Sequence, residues 1–208
     1  MFVTSQESPQ PLSIVVLASG SGTLAQSIID NQGVYRVAAV VADVDCYALT
    51  RASAANIPTE LVPLVKGADR GRWNEELARV VRGYGPDLVV SAGFMKILGK
   101  EFLDVFAGRI INTHPALLPA FPGAHAVRDA LAYGVKVTGS TVHFVDEGVD
   151  TGKIIAQESV AIAPGETEAD LHERIKQVER KLIVTVLDSF ARGHGQERII
   201  ERLSSTHE

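Results

Sequence analysis

Five consecutive apolar residues, Ile14-Val15-Val16-Leu17-Ala18, run directly into Ser19-Gly20-Ser21-Gly22-Thr23, and Leu24, Ile28 and Ile29 follow at helical spacing. Strand, glycine-rich turn and helix in that order open a βαβ unit. An unbroken apolar strand, unlike an alternating one, must be covered on both faces, which calls for a parallel sheet between helices. Later segments repeat the pattern. Residues 36–42 read as a second buried strand, 47–56 as a helix and 60–64 as a short third strand. Residues 69–84 form an amphipathic helix carrying Trp73, Leu77, Val80 and Val81, closed by Gly83 and Gly85, and 87–92 form a fourth strand.

The second part of the chain is patterned differently. Residues 124–133 read as a helix ended by Gly134, and 137–145 and 154–162 as strands with mixed faces, joined by an acidic segment at 146–152. A long helix starts near Thr167, which forms a capping box with Asp170. Leu171, Ile175, Val178, Leu182 and Val186 supply its apolar stripe, and Gly193 its stop. The expected architecture is a single α/β domain, a mostly parallel twisted sheet flanked by helices with a Rossmann-like N-terminal half. Residues 1–13, polar with two prolines and no signal-peptide pattern, are expected to be a disordered extension, 14–193 the catalytic domain, and 194–208 a tail.

The glycine-rich turn matches G-x-G-x-x-A over residues 20–25, and Asp43 ends the second strand about 20 residues on, the spacing of a dinucleotide fingerprint. No lysine follows in Walker fashion. The physical content is narrower: free N–H groups at a helix start favour an anion, typically phosphate. A net charge of −5 argues against a nucleic-acid backbone as the main ligand but not against one small phosphate ester. The single cysteine, Cys46, excludes an internal disulfide and a cysteine-based zinc site, and fits a reducing, cytoplasmic setting. No apolar run reaches the roughly 20 residues that span a bilayer, so no membrane partner is expected.

Chemistry concentrates between residues 110 and 119. Ile110 and Ile111 lead into Asn112 and His114, and Pro115 stops the strand. Residues two apart on a strand project to the same face, so an amide donor and an imidazole leave the strand end together, the pairing that acyl transfer asks for.

The full stretch, Asn112-Thr113-His114-Pro115-Ala116-Leu117-Leu118-Pro119 followed by Phe121-Pro122-Gly123, is similar to the signature of the folate-dependent formyltransferases. Gly139-Ser140-Thr141-Val142-His143-Phe144-Val145 and Asp150-Thr151-Gly152 resemble that family's second block, which ends in its catalytic aspartate. With the SGSGT loop, the resemblance extends over roughly residues 14–190.

What it implies is formyl transfer from 10-formyltetrahydrofolate, a co-substrate, to the amine of glycinamide ribonucleotide, without a metal. Asn112, His114 and Asp150 would be catalytic: the amide donates to a tetrahedral oxyanion, the imidazole stabilises or protonates it, and the carboxylate holds and charges the ring. Gly22, Thr23, Leu24, Lys176 and Glu179 would bind the phosphoribosyl substrate. Leu24 stands where the family often has Asn, leaving only its backbone N–H to serve a phosphate. Arg70, Met95, Lys96, Ile97, Leu98 and Asn112, with the loop Asp146, Glu147, Gly148, Val149 and Asp150, would bind the folate. Lys96 replaces a frequent Arg, which loses bidentate geometry if the contact is an ion pair. Thr141 and His143 would support the site, while His125, His172, His194 and His207 have no partner pattern. The resemblance is compatible with a homodimer, which the residues themselves do not address.

Two relatives within the family are disfavoured. A methionyl-tRNA formyltransferase needs a further RNA-binding domain and basic surface, and a formyltetrahydrofolate hydrolase a regulatory N-terminal domain. From other classes, a nicotinamide-dependent oxidoreductase would explain the glycine loop and Asp43 but not the Asn–His–Asp blocks, and a non-catalytic phosphate-sugar binder would need only the loop.

Overall fold

The computed structural model describes residues 10–193, so expectations for residues 1–9 and 194–208, including His194 and His207, lie outside the described residues. One seven-stranded sheet runs through the molecule. Its strands are β1 (Leu12–Ala18), β2 (Tyr35–Ala42), β3 (Thr59–Leu61), β4 (Leu88–Ser91), β5 (Ile110–His114), β6 (Val137–Phe144) and β7 (Ile154–Ala161). The helices are α1 (Thr23–Asp30), α2 (Tyr47–Ala54), α3 (Arg70–Gly83), α4 (Lys100–Leu103), α5 (Ala126–Tyr133) and α6 (Glu168–Ala191).

The spatial order is β3-β2-β1-β4-β5-β6-β7. Strands β3 to β5 pair in parallel, and β6 and β7 are added antiparallel. Every residue of β1 and β4 is buried, as continuous apolar runs under two helical layers require. On one face Ile14, Val16 and Val90 pack with Ile28 of α1 and Ile183, Leu187 and Phe190 of α6. On the other, Val15, Leu17 and Val89 pack with Trp73, Leu77 and Val81 of α3 and Phe102 of α4.

Three details depart from the expectations. Strand β1 begins at Leu12, so residues 12 and 13 belong to the sheet rather than to an extension, and the Ser13 N–H is held by Asp87 at 2.8 Å. The third strand is Thr59–Leu61, shorter and earlier than 60–64, because it pairs only with the last three residues of β2. The buried face of α6 is Leu171, Ile175, Glu179, Ile183, Val186, Leu187 and Phe190; Val178 and Leu182 sit at its edges. The helix turns that face toward β6 and α1, which brings the carboxylate of Glu179 inside. The Thr167 cap forms as expected: its hydroxyl accepts the Asp170 N–H at 3.2 Å.

The order of the strands reverses between β1 and β4. In open α/β sheets such a reversal leaves a crevice beyond the carboxyl ends of the two strands. Here the Gly20–Leu24 turn and residues 92–95 emerge side by side at that place.

Candidate active site

Asn112 and His114 reach their places through strand register. In the β5–β6 ladder Asn112 pairs with His143 and His114 with Thr141. Cross-strand partners share a face, as do residues two apart, so all four side chains lie on one side of the sheet and Thr113 on the other. Asp150 arrives from the loop after β6 and closes the group. Its Oδ2 lies 3.3 Å from His114 Nδ1 and its Oδ1 3.5 Å from His143 Nε2. The same His143 nitrogen is 3.2 Å from Asn112 Nδ2.

Close contacts therefore run from Asn112 through His143 and Asp150 to His114, with His143 Nε2 able to serve one of its two neighbours at a time. His114 is 4% exposed and His143 2%. Asp150 is held in the left-handed region at φ 55°, a conformation that Asp tolerates better than most residues, and its Oδ2 also accepts the Gly123 N–H at 2.7 Å. The His143 ring holds the Asp150 carboxyl below the usual carboxylate range; burial opposes this, and the Gly123 N–H and the potential of His114 add to it. The remaining ring nitrogens are also engaged. His114 Nε2 lies 2.7 Å from the Phe121 carbonyl and His143 Nδ1 2.8 Å from the Phe144 carbonyl. Carbonyls only accept, so both facing nitrogens carry protons, and His143 is left with Nε2 to accept from Asn112 or donate to Asp150.

Thr141 holds the segment that follows His114. Its hydroxyl donates to the Ala116 carbonyl at 2.7 Å and accepts from the Leu118 N–H and from Gln157 Nε2, each at 3.0 Å. Gly152 closes the acidic loop against β6, where a Cβ would collide with the Phe144 carbonyl. Within that loop Asp146 Oδ1 accepts the Gly148 N–H at 3.1 Å and the Thr151 hydroxyl at 2.7 Å, so Asp146 shapes the loop itself. Glu147, Gly148 and Val149 are exposed.

Beside this group, at the strand reversal, lies a cavity of about 240 Å³. Its walls include Gly22, Thr23 and Leu24 from the glycine loop, Thr113 and Pro115 from the end of β5, and His172, Lys176, Glu179 and Arg180 from α6. Gly22 adopts φ 68°, and a Cβ there would meet Ala48, so the turn can pass under α2 only as glycine. The first turn of α1 carries no side-chain cap and no acidic residue, which leaves its N–H groups open to an anion. Glu179 is 8% exposed. Burial pushes its carboxyl up to about 7, against the pull of the Thr113 hydroxyl, Lys176 and Arg180. His172, which showed no pattern in the sequence, lines the same cavity; burial, helped by Lys176, lowers its pKa. Its spacing of four before Lys176 and seven before Glu179 was the available signal.

The segment after β4 lies between the two regions. Met95 and Ile97 are 72% and 63% exposed while Phe94 and Leu98 are buried, an apolar ledge open to solvent. Arg70 donates to the Ile97 carbonyl at 2.6 Å and stands over the Trp73 ring, so it supports that ledge. Lys96 turns inward, with Nζ 3.4 Å from Asp43 Oδ2. Asp43 is 1% exposed, and its other oxygen accepts the Ser19 hydroxyl at 2.5 Å. Its carboxylate is thus spent inside the protein, and the ribose contact of a dinucleotide fingerprint has no acceptor here. Among the described residues no group of three or more His, Cys, Asp or Glu could hold a metal ion, and no helix is long and apolar enough to cross a membrane.

The formyl transferase family model matches residues 12–187. A phosphoribosylglycinamide formyltransferase of Mycobacterium tuberculosis is 52% identical over 184 residues, 87% of this chain and 86% of that protein. Its Escherichia coli counterpart is 37% identical over 88% of each chain. A crystal structure of glycinamide ribonucleotide transformylase 1 from Symbiobacterium toebii superposes with a TM-score of 0.85 at 42% identity, covering 88% of this chain and 89% of that one. A family match across most of the length, together with a shared fold at these identities, is decisive: the chain belongs to the formyl transferase family.

Proposed function

We propose that the protein transfers the formyl group of 10-formyltetrahydrofolate to the amine of glycinamide ribonucleotide, as a phosphoribosylglycinamide formyltransferase of purine synthesis acting in the cytoplasm. The observation that carries the reading is the Asn112–His143–Asp150–His114 chain standing beside a cavity equipped at one end for an anion.

In this reading the phosphate sits on the N–H groups of Gly22, Thr23 and Leu24 at the start of α1, with Lys176 as counter-charge. Glu179, deeper in the same cavity, accepts from hydroxyl or amine groups of the substrate. The folate ring system lies on the ledge formed by Met95, Lys96, Ile97 and Leu98, with Arg70 beneath it and the 146–150 loop opposite. The amine attacks the formyl carbon, and the carbonyl oxygen takes up negative charge. The Asn112 amide and the His114 Nε2–H donate hydrogen bonds to that oxygen, for which His114 must release the Phe121 carbonyl. Asp150 fixes the orientation of the ring through Nδ1. Collapse of the intermediate breaks the bond from carbon to the folate nitrogen, which gains a proton as the amine loses one. His143 and Thr141 keep Asp150, Asn112 and the 115–118 segment in place. No step requires a metal. A homodimer is part of the proposal and is checked by sedimentation.

The decisive assay combines the protein with 10-formyltetrahydrofolate and glycinamide ribonucleotide. Tetrahydrofolate release that depends on the amine is the expected result; release without amine would make the protein a hydrolase, and no release would refute the reading.

A further inference from the structure

Asp43 has no role in the reaction above, and the Lys96 ammonium, as distinct from its backbone in the ledge, has none either. Asp43 ends β2, Ser19 follows β1, and Met95 and Lys96 follow β4, so three separate loops converge at the strand reversal. The Ser19 hydroxyl accepts the Met95 N–H at 2.8 Å and therefore sends its own proton to Asp43 Oδ1. The Ser19 N–H donates to the Gly93 carbonyl at 3.1 Å. The second oxygen of Asp43, fully buried, has no hydrogen-bond partner among the described residues and faces Lys96 Nζ at 3.4 Å. A buried carboxylate without its counter-ion is strongly destabilising, so the position of Lys96 is set by Asp43, and with it the path of residues 95–97. The Lys96 side chain retains 32% exposure, against none for Asp43. The pair ties the first residue of the glycine loop to the exposed ledge.

We propose that Lys96 and Asp43 are positioning residues that set the phosphate loop and the folate ledge in one register, and that Lys96 acts through Asp43 rather than on the glutamate tail of the folate. The proposal rests on the substrate reading above. Because one network holds both loops, loosening it weakens both substrates together. A direct contact with the tail would weaken only the folate.

The test compares Lys96→Met, Asp43→Asn and the double variant in steady-state assays with two donors, 10-formyltetrahydrofolate and the analogue that ends at the benzoate and lacks glutamate. The expected result for Lys96→Met is a rise of about tenfold in KM for both the amine and the donor, with kcat nearly kept, the size typical of residues acting through a network. The rise persists with the glutamate-free donor, Lys96→Arg restores most of it, and the double variant is no worse than the poorer single one. A rise confined to the glutamate-bearing donor overturns the proposal, as do unchanged KM values or additive effects. Should Asp43→Asn fail to fold, Lys96→Met and Lys96→Arg decide alone. Hydrogen exchange gives a readout independent of activity: the Ser19 and Met95 amides lose protection together in Lys96→Met, and unchanged protection overturns the proposal. Absence of turnover in the unaltered protein would instead refute the substrate reading and leave the exchange result to judge the pair.

Discussion

The parallel and antiparallel halves of the sheet make their contributions to the site in different ways. In β1 and β4 every residue is buried, so these strands can offer a ligand only what lies beyond their ends: turns, N–H groups and a helix start. In β5 and β6 alternate side chains face the site, and the ladder register sets Asn112 opposite His143 and His114 opposite Thr141. The parallel half thus supplies a binding surface made largely of backbone, and the antiparallel addition supplies aimed side chains. Because the sheet changes from parallel to antiparallel pairing at the β5–β6 ladder, both lie within a few residues of each other.

If that division is right, the sharpest break comes from the aimed side chains. Asn112→Ala removes the proposed oxyanion donor without touching the core, and a loss of roughly 10²–10³ in turnover is expected with unchanged folding. Steady-state rates alongside a thermal melt check it. Near-normal turnover would remove Asn112 from the chemistry.

The binding half is probed by pH. Glu179 ordinarily ionises near 4.5 and is pushed up to about 7 by burial. Between those values the folded protein holds a proton that the unfolded chain has released, so stability falls as pH rises through that window and levels off above 7. The gap corresponds to roughly 3 kcal/mol. Glu179→Gln should be free of this loss, melting roughly 6–12 °C above the unaltered protein at pH 8 and close to it at pH 4.5. His172 titrates in the same cavity with the opposite sign, and using the Gln variant as reference cancels its contribution. Equal melting temperatures at both pH values would show that Glu179 is not buried as a carboxylate.

The two halves also differed in how far they could be read from sequence. Strand β1, its turn and α1 are local features: an apolar run, two glycines and a helical stripe suffice. Asn112 and His114 were equally legible, because a period of two needs no tertiary information. Asp150 and His143 were assigned by block resemblance, and nothing local says that one carboxylate bridges two imidazoles; that follows from the β5–β6 register and a loop residue at positive φ. Helix α4, four residues long, is too short for periodicity to reveal. The inward turn of Lys96 depends on Asp43, 53 positions earlier, and on the side-by-side packing of β2, β1 and β4. Spacing alone puts Val178 and Leu182 in the apolar stripe of α6, whereas packing selects a face centred on Ile175, Glu179 and Ile183. Only a structure shows which face the sheet will cover.

Thr141 tests whether the antiparallel half positions more than it reacts. Its buried hydroxyl donates to the Ala116 carbonyl and accepts the Leu118 N–H, which fixes residues 116–118 after His114, and it accepts a third bond from Gln157 Nε2. Thr141→Val keeps the shape and leaves the Leu118 N–H and Ala116 carbonyl unpaired, at a cost of about 1–3 kcal/mol. Denaturant unfolding measures that loss. Turnover should fall as well, with KM for the amine little changed, because the segment adjoins His114 rather than the glycine loop proposed to hold the phosphate.

The smallest effect expected lies far from either substrate. Thr167 caps α6 by accepting the Asp170 N–H, and its hydroxyl donates to the Asp170 carboxylate at 2.7 Å. Thr167→Ala removes both bonds at an exposed helix start, which typically costs about 1 kcal/mol. The consequence for function separates global stability from local geometry. Lys176 and Glu179 lie two and three turns further along α6, where Ile175 and Ile183 are fully buried against the sheet, so fraying of the first turn does not reach them. Thermal unfolding should show the loss while KM for glycinamide ribonucleotide stays within about twofold, a change worth less than roughly 0.5 kcal/mol. A larger rise in KM would mean that the binding face of α6 is held by its cap rather than by its core contacts.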